Sequence, residues 1–455
     1  MSTKHSIAGE AFLKDRNHAS WHNESLWFVR EKRDKVSKEI PEWEELRELS
    51  SQIKMHTISH LDTYLEEFAR NAEANGIIVH WATDAREHNE IVYGILSKNN
   101  VKKLVKSKSM LTEECHLNPY LIEQGIDVVE SDLGERILQL MDLAPSHIVL
   151  PAIHIKRQQV GELFEEKLGT EKGNSDPTYL TRAARKHLRN EFLTADAGMT
   201  GANFAIAATG DIVVCTNEGN ADMGTSLPKL HIVSMGLEKV IPDLPSLSVF
   251  TRLLARSATG QPVTTYTSHF RKPRKGGELH VVIVDNGRSK VLGNKEHIKT
   301  LNCIRCGACM NTCPVYRRTG GYSYTYFIPG PIGINLGMLK SPGEYYDNVS
   351  ACSLCFSCNN VCPAKIDLGQ QIYKWRQDLD GLHVADPTKK LISTGLKFLF
   401  TKPALYNTSL KMAPWVNVMP RFMLYNGLNE WGKGRELPVF AKESFTALWK
   451  KGKVK

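Results

Sequence analysis

Short apolar runs alternate with helical patterns over much of the chain. Buried strands are predicted where brief segments are mostly apolar, at 77–82, 102–107, 126–131, 147–152, 230–235 and 279–286. Helices are predicted between them, because apolar residues there recur every three or four positions. This alternation is typical of a mostly parallel sheet covered by helices, and we place the α/β domain at residues 65–292.

Three of the predicted helices have recognisable ends. The first runs from Leu46 to Asn75, the second follows a capping Asp84, and the third covers 109–125. Each is predicted as a single uninterrupted helix.

A hairpin is predicted at 204–216, with its turn at Gly210-Asp211. The polar loop 215–224 follows and carries Glu218. Ligands of α/β proteins bind at strand ends, so Glu218 is a candidate catalytic residue. The alternative is a turn that merely needs Asn and Gly. The basic stretch 106–110, at a helix start, is a candidate anion site.

The remaining segments differ from the α/β domain in composition. Residues 1–64 are polar with scattered tryptophans and are predicted to form an N-terminal helical arm that packs on another part of the chain. Residues 293–382 hold most cysteines, and within them we interpret the glycine-rich stretch 330–337 as turns. Residues 383–455 form a basic C-terminal segment rich in aromatics.

The C-terminal segment carries the net positive charge of the chain. From His383 onward it has thirteen Lys and Arg against four Asp and Glu, whereas the rest of the chain is neutral. This indicates an acidic partner or an anionic surface such as a membrane, with a solvated tail as the alternative. No nucleic acid is expected, because no reader motif is present. We predict core packing for its large aromatics, Phe398, Phe400, Tyr406, Trp415, Phe422, Tyr425 and Trp431.

Neither a secretory signal nor a bilayer-spanning apolar run is visible, which predicts a cytoplasmic protein with optional peripheral attachment to the inner face of the membrane. Disulfides are rare in a reducing cytosol. The eight clustered cysteines are therefore expected to be metal ligands or redox groups rather than disulfides, whereas the isolated Cys115 and Cys215 are predicted to be buried small hydrophobic residues.

Eight of the cysteines form one motif written twice. C-x2-C-x2-C-x3-C-P begins at Cys303 and again at Cys352. This is the bacterial iron–sulfur run, in which the fourth cysteine of each block serves the other cluster. Two [4Fe–4S] clusters are predicted, one held by Cys303, Cys306, Cys309 and Cys362, the other by Cys352, Cys355, Cys358 and Cys313.

Two other arrangements of these cysteines remain open. Each block of four could hold its own cluster locally. Structural zinc sites also use four thiolates, usually as two CxxC pairs, which fits two even triplets poorly. No flavin, nicotinamide or nucleotide motif accompanies the cysteines, so the chain is expected to carry electrons rather than to oxidise a substrate alone.

The segments 198–220 and 227–242, joined to both cysteine blocks, resemble the lactate utilization protein B family. The resemblance implies a LUD-type sheet, related to CoA transferases and sugar-phosphate isomerases, followed by a mainly α-helical two-[4Fe–4S] ferredoxin-like domain. It also implies an iron–sulfur electron-transfer subunit of a system that oxidises L-lactate to pyruvate. The implied partners are a cysteine-rich-repeat subunit, a shorter LUD protein and a membrane- or quinone-linked acceptor. The alternative is a LUD-domain transferase or anion-binding enzyme whose clusters are structural or redox-sensing.

Overall fold

A six-stranded parallel sheet forms the centre of the α/β domain. Its strands lie in the order β1-β10-β7-β4-β2-β3, and every neighbouring pair is parallel. A second, four-stranded sheet has the order β8-β5-β6-β9. The ten strands of the described residues are β1 (Ile78–Ala82), β2 (Lys103–Lys106), β3 (Asp127–Glu130), β4 (Ala197–Gly201), β5 (Phe204–Ile206), β6 (Asp211–Thr216), β7 (Leu230–Gly236), β8 (Val240–Ile241), β9 (Tyr266–Phe270) and β10 (Glu278–Val284).

The computed structural model describes residues 4–381, 387–425 and 437–453. The chain divides into two units, Met1–Asp378 and Leu379–Lys455. The finer division into four segments, at residues 64, 292 and 382, stays a prediction.

Both faces of the parallel sheet are buried. Alternate residues of each strand point to opposite sides of the sheet, and each side packs into its own hydrophobic core. On β7, Leu230 and Ile232 belong to one core, whereas Val233 and Met235 belong to the other. The predicted parallel sheet covered by helices is therefore confirmed. The helices of this region are α5 (Ala85–Lys98), α6 (Met110–Glu114), α7 (Leu117–Glu123), α8 (Leu133–Leu140), α9 (Arg157–Leu168), α10 (Pro177–Thr194), α11 (Asn220–Ser226), α12 (Leu244–Thr259) and α13 (Arg288–Leu292).

The strand predicted at 147–152 is wrong, because this segment folds into bends and turns. The imidazole of His147 accepts hydrogen bonds at Nδ1 from the backbone N–H groups of Val149 and Leu150, each at 3.0 Å. A side chain thus takes the donors that a strand would offer to its neighbour.

Two helices predicted as continuous are broken, while the hairpin is confirmed. The helix over 109–125 ends at Glu114, and His116 adopts the left-handed conformation with φ 52°. The helix from Leu46 is interrupted at His60, where φ is −129°. In the hairpin, β5 pairs antiparallel with β6.

The N-terminal arm is helical and packs on the cysteine region. Its helices are α1 (Lys4–Leu13), α2 (Arg16–Lys38), α3 (Trp43–Ser59) and α4 (Leu61–Ala74). The indole ring of Trp27 lies 4.4 Å from the guanidinium of Arg317, and His22 Nδ1 lies 3.0 Å from the Arg317 carbonyl oxygen. The arm therefore covers one side of the first cysteine block.

The cysteine region is built from short helices. They are α14 (Ala308–Thr312), α15 (Pro314–Thr319), α16 (Gly330–Lys340), α17 (Pro342–Ala351), α18 (Ser357–Val361) and α19 (Leu368–Gly381). The interpretation of 330–337 as turns is wrong, since it forms most of α16. Its glycines allow close packing instead: a Cβ at Gly333 would lie 1.6 Å from the carbonyl oxygen of Ile328.

The second unit consists of α20 (Pro387–Thr401), α21 (Pro403–Met412), α22 (Arg421–Leu424) and α23 (Phe445–Lys450). The expected core packing of its aromatics is wrong for several of them, since Phe398, Phe400, Trp415 and Phe422 are each at least 60% exposed. Trp431 lies outside the described residues. None of the helices in the described part of the chain combines the length and the apolar character that a bilayer-spanning segment requires.

Candidate metal centre and adjoining cavity

The two cysteine blocks fold in the same way. In each block the third cysteine lies in a five-residue helix, α14 or α18, and the fourth ends that helix. Cys313 and Cys362 have nearly identical backbone angles there, with ψ 117° and 118°. A proline follows each fourth cysteine: Pro314 begins α15, where a missing N–H costs little, whereas Pro363 lies in a turn. Sequence repetition therefore appears as structural repetition.

Left-handed residues shape both loops ahead of these helices. Arg305 has φ 60° and Leu354, at the equivalent position, has φ 53°. Each donates its backbone N–H to the sulfur two residues earlier, Cys303 or Cys352, over 3.4 Å. A left-handed non-glycine residue costs about 1–2 kcal/mol, so the conformation must be enforced by its surroundings. Amide groups turned inward in this way form a cradle for anionic sulfur.

The first three cysteines of the first block meet the fourth cysteine of the second. Cys303, Cys306, Cys309 and Cys362 line one small cavity of about 20 Å³. Burial raises the pKa of the Cys362 thiol to about 11, and Cys303 contributes to that rise. Buried thiols this close together resist ionisation in the absence of a metal. A bound metal would deprotonate them and neutralise their charge, so the arrangement fits a metal centre.

The second block makes the reciprocal arrangement. The pKa of the Cys358 thiol is raised by burial and then by Cys313, Cys352 and Cys355. Cys313 is buried and lies 4.0 Å from the Tyr324 hydroxyl. The structure thus brings together the eight cysteines in the two predicted sets, while cluster ligation itself stays a prediction.

No three His, Cys, Asp or Glu side chains in the described ranges are placed to hold a single metal ion. The thiols of the first set instead line a common cavity, as the ligands of a multi-atom cluster would. The donor set, four thiolates with inward N–H groups, fits an iron–sulfur cluster.

Buried cations from the N-terminal helices reach the same region, and sequence reasoning missed them. Arg47, which is 7% exposed, donates from Nε to the carbonyl oxygen of Cys362 over 3.0 Å. Arg33 donates from Nη2 to the carbonyl oxygen of Val361 over 3.1 Å. Lys54 is buried and donates to the carbonyl oxygen of Glu238. No local motif marks these residues, because their partners are remote in sequence.

A buried charge network connects the α/β domain to the first cysteine block. Arg288 binds both oxygens of Glu114, at 3.0 and 2.9 Å, and Glu238 Oε2 at 2.5 Å. Arg305 Nη2 lies 3.8 Å from Glu238 Oε1. Burial opposes ionisation of Glu238, but Arg288, Lys239 and Arg305 outweigh it and lower its pKa to about 2. These residues are therefore charged together.

A cavity of about 330 Å³ lies where the parallel strands end. Its wall includes residues that follow β2, β4 and β7, together with Arg305 and Cys306 of the first cysteine block. We call it the strand-end cavity. The edge of the sheet predicted to bind ligands thus adjoins the first thiol set. Lys108 of the basic stretch 106–110 lines it, but its ammonium already contacts Glu135 Oε1 at 2.9 Å.

Glu218 lies in the wall of this cavity, as the strand-end argument anticipated. Its Oε2 accepts a hydrogen bond from the N–H of Leu133 over 3.1 Å. Partial burial raises the pKa of Glu218 to about 7, and the neighbouring Asp132 carboxylate adds to the effect. Such a carboxyl group can hold a proton near neutral pH, so the position is suited to proton exchange with a ligand.

The Glu218→Gln variant should show a flatter dependence of stability on pH. The native pKa, about 7, lies above the unfolded value of 4.5. Native wild type therefore retains a proton that the unfolded chain has released, and its stability falls relative to the variant as pH rises through this window. Denaturation midpoints across that range should diverge between the two proteins. Parallel curves would show that Glu218 titrates normally.

Three family models match consecutive parts of the chain. A LUD domain matches residues 65–292, a 4Fe-4S dicluster domain matches residues 299–366, and a model named Lactate utilisation protein B, C-terminal, matches residues 384–454. The first covers the sheets and the second covers both cysteine blocks.

Relatives match over most of this chain and most of their own length. Lactate utilization protein B of Oceanobacillus iheyensis is 42% identical over 91% of this chain and 89% of its own length. That of Geobacillus thermodenitrificans is 46% identical over 83% of this chain and 81% of its own. A protein of Escherichia coli K12 named "Uncharacterized electron transport protein YkgF" is 39% identical over 92% and 90%. The chain belongs to the lactate utilization protein B family.

Proposed function

We propose that this chain is the iron–sulfur electron-transfer subunit of a multi-protein system that oxidises L-lactate to pyruvate and passes electrons toward the respiratory chain. The observation that carries the proposal is the presence of two complete four-thiol sets side by side in one unit. When bound, a [4Fe–4S] cluster supplies one-electron chemistry at each set. The names of the relatives, lactate utilization protein B and electron transport protein, support the same assignment.

The two thiol sets are connected by direct contact between the helices that carry them. Helices α14 and α18 contact each other, and Thr312 Oγ1 lies 2.5 Å from Ser357 Oγ. Cys358 is close enough to add to the raised pKa of the Cys309 thiol, which is due mainly to burial. Direct contact between the helices that carry the two sets supports electron transfer between two redox centres.

The cysteines of the two sets differ in their exposure to solvent. Cys306 is buried against residues of the α/β domain and Cys309 is buried as well, whereas Cys355 is exposed and is followed by Phe356, which is 37% exposed. We propose that the second set faces a redox partner and that the first faces the strand-end cavity. The proposed partners are a cysteine-rich-repeat subunit and a shorter LUD protein. The exposed aromatics and lysines of the second unit support an additional peripheral contact with a membrane- or quinone-linked acceptor.

Anaerobically purified protein should contain about eight iron atoms per chain, four in each of two clusters, with matching acid-labile sulfide. Addition of L-lactate together with the co-purified partners should reduce the clusters, as detected by EPR. The matched control omits L-lactate. Zinc without sulfide would contradict the cluster assignment, and reduction that is independent of lactate would contradict the assigned system.

A second candidate function is a LUD-domain transferase or anion-binding enzyme, favoured by the strand-end cavity and the raised pKa of Glu218. Under this candidate the Glu218→Gln variant should abolish growth on lactate while both clusters remain. Unchanged growth would argue for the electron-transfer role alone.

A further inference from the structure

The strand-end cavity contains two cationic groups with unused hydrogen-bonding capacity. Lys239 lines the cavity and makes no direct side-chain hydrogen bond or ion pair among the described residues, although its charge helps to lower the pKa of Glu238. Arg305 lines it as well, and its Nη1 atom is buried without a hydrogen-bond partner in the described part of the chain. A buried donor without an acceptor is costly and rare, so Arg305 Nη1 indicates a missing acceptor. Lys239 is half-buried, and its ammonium adds a second positive charge to the same wall.

A third polar group with unused capacity lies in the same wall. Asn220 is 2% exposed, and its Nδ2 donates to Ser131 Oγ and Asp132 Oδ2, each at 3.2 Å. The Asp132 carboxylate accepts only, which orients the amide and leaves Asn220 Oδ1 as a buried acceptor with no partner within the residues described. This side of the cavity therefore lacks a donor.

The other cationic groups named in the wall, Lys108 and Arg288, are already paired. Lys108 contacts Glu135, and Arg288 is fully engaged by Glu114 and Glu238. Two cationic hydrogen-bond donors, Lys239 and Arg305, therefore lie near the first thiol set with capacity to bind a ligand. One neutral acceptor, Asn220 Oδ1, lies beside Asp132. The cavity volume, about 330 Å³, is at the lower end of the range for ligand pockets.

We propose that the strand-end cavity binds a small hydroxy-carboxylate, with its carboxylate on Lys239 and Arg305 and its hydroxyl donating to Asn220 Oδ1. The two cationic donors match a carboxylate, and the lone acceptor matches a hydroxyl. A phosphate dianion fits less well, because the Asp132 carboxylate repels additional negative charge. The proposal rests on the proposed function only for the choice of L-lactate as a probe.

The site is tested by calorimetric titration of the anaerobic holoprotein with acetate, L-lactate and inorganic phosphate. Wild type should bind L-lactate more tightly than acetate. The Lys239→Met variant should weaken both by about 10–100-fold, as expected for loss of a charged hydrogen-bond donor. The Asn220→Ala variant should weaken L-lactate by about fivefold and leave acetate unchanged, because acetate has no hydroxyl. Lys172→Met, at an exposed lysine before α10, is the matched control and should change neither.

Several outcomes would overturn the proposal. Absence of saturable carboxylate binding at millimolar concentration would show that Lys239 and Arg305 serve only the nearby thiolates. Phosphate binding tighter than L-lactate, lost in Lys239→Met, would show a phosphate site instead. Equal effects of Asn220→Ala on both carboxylates would remove the hydroxyl contact. Iron content and EPR spectra measured on the same samples report separately on the electron-transfer role, so either can fail alone.

Discussion

Replacing Cys362 with serine is expected to remove the cluster of the first triplet, Cys303, Cys306 and Cys309, and to spare the other. The reason is spatial, because Cys362 shares a cavity with the first triplet although it is encoded in the second block. Iron should fall from about eight to about four atoms per chain. The EPR signal that remains should be the one lost in a Cys352→Ser variant.

Pairwise comparison of variants makes this test decisive. Cys362→Ser should have the same spectrum as Cys303→Ser, and Cys313→Ser the same as Cys352→Ser. If each block held its own cluster, Cys362→Ser would instead match Cys352→Ser. Substitution of the isolated Cys115, which is buried outside both sets, is the control and should leave both signals intact.

The Arg288→Met variant is expected to lower the free energy of unfolding by about 3–5 kcal/mol. Arg288 is 8% exposed and is the shared partner of the buried carboxylates Glu114 and Glu238. Its removal leaves both negative charges in a low-dielectric interior, where an unpaired charge is expensive. The measurement is anaerobic chemical denaturation followed by circular dichroism.

An exposed ion pair provides the matched control. Arg86 and Glu90 lie 3.5 Å apart with side chains 79% and 52% exposed, so Arg86→Met should cost no more than about 1 kcal/mol. The loss in Arg288→Met should also shrink as pH falls toward about 5, because the stranded carboxyl groups can then be protonated. Equal losses in the two variants would show that the buried network contributes little to stability.

Local patterns were sufficient for much of the fold. The strands β7 and β10, for example, are buried on both faces and therefore appear in the sequence as apolar runs. These runs predicted the parallel sheet. Errors occurred where a side chain replaced the backbone's usual partner or where one residue interrupted a helix. His147 accepts two backbone N–H bonds and abolishes a predicted strand, and His116 breaks a helix through its left-handed conformation. Neither effect is marked by residue type or spacing.

The candidate site shows the same contrast. Glu218 was found because strand ends bind ligands, but Lys239, Arg305 and Asn220 were missed. These residues matter because some of their polar atoms have no hydrogen-bond partner. Whether a polar atom has a partner is decided only when the chain folds.

The sequence by itself determined which atoms are available as ligands and how each cysteine loop winds, because both depend on residues only a few positions apart. The tertiary structure decided which fourth thiol approaches which triplet, which cations surround them and which cavity adjoins them. Arg47 and Cys362, in contact through a hydrogen bond, are separated by 315 positions. Contacts of that range arise from packing of distant helices against one core, and no periodicity along the chain encodes them.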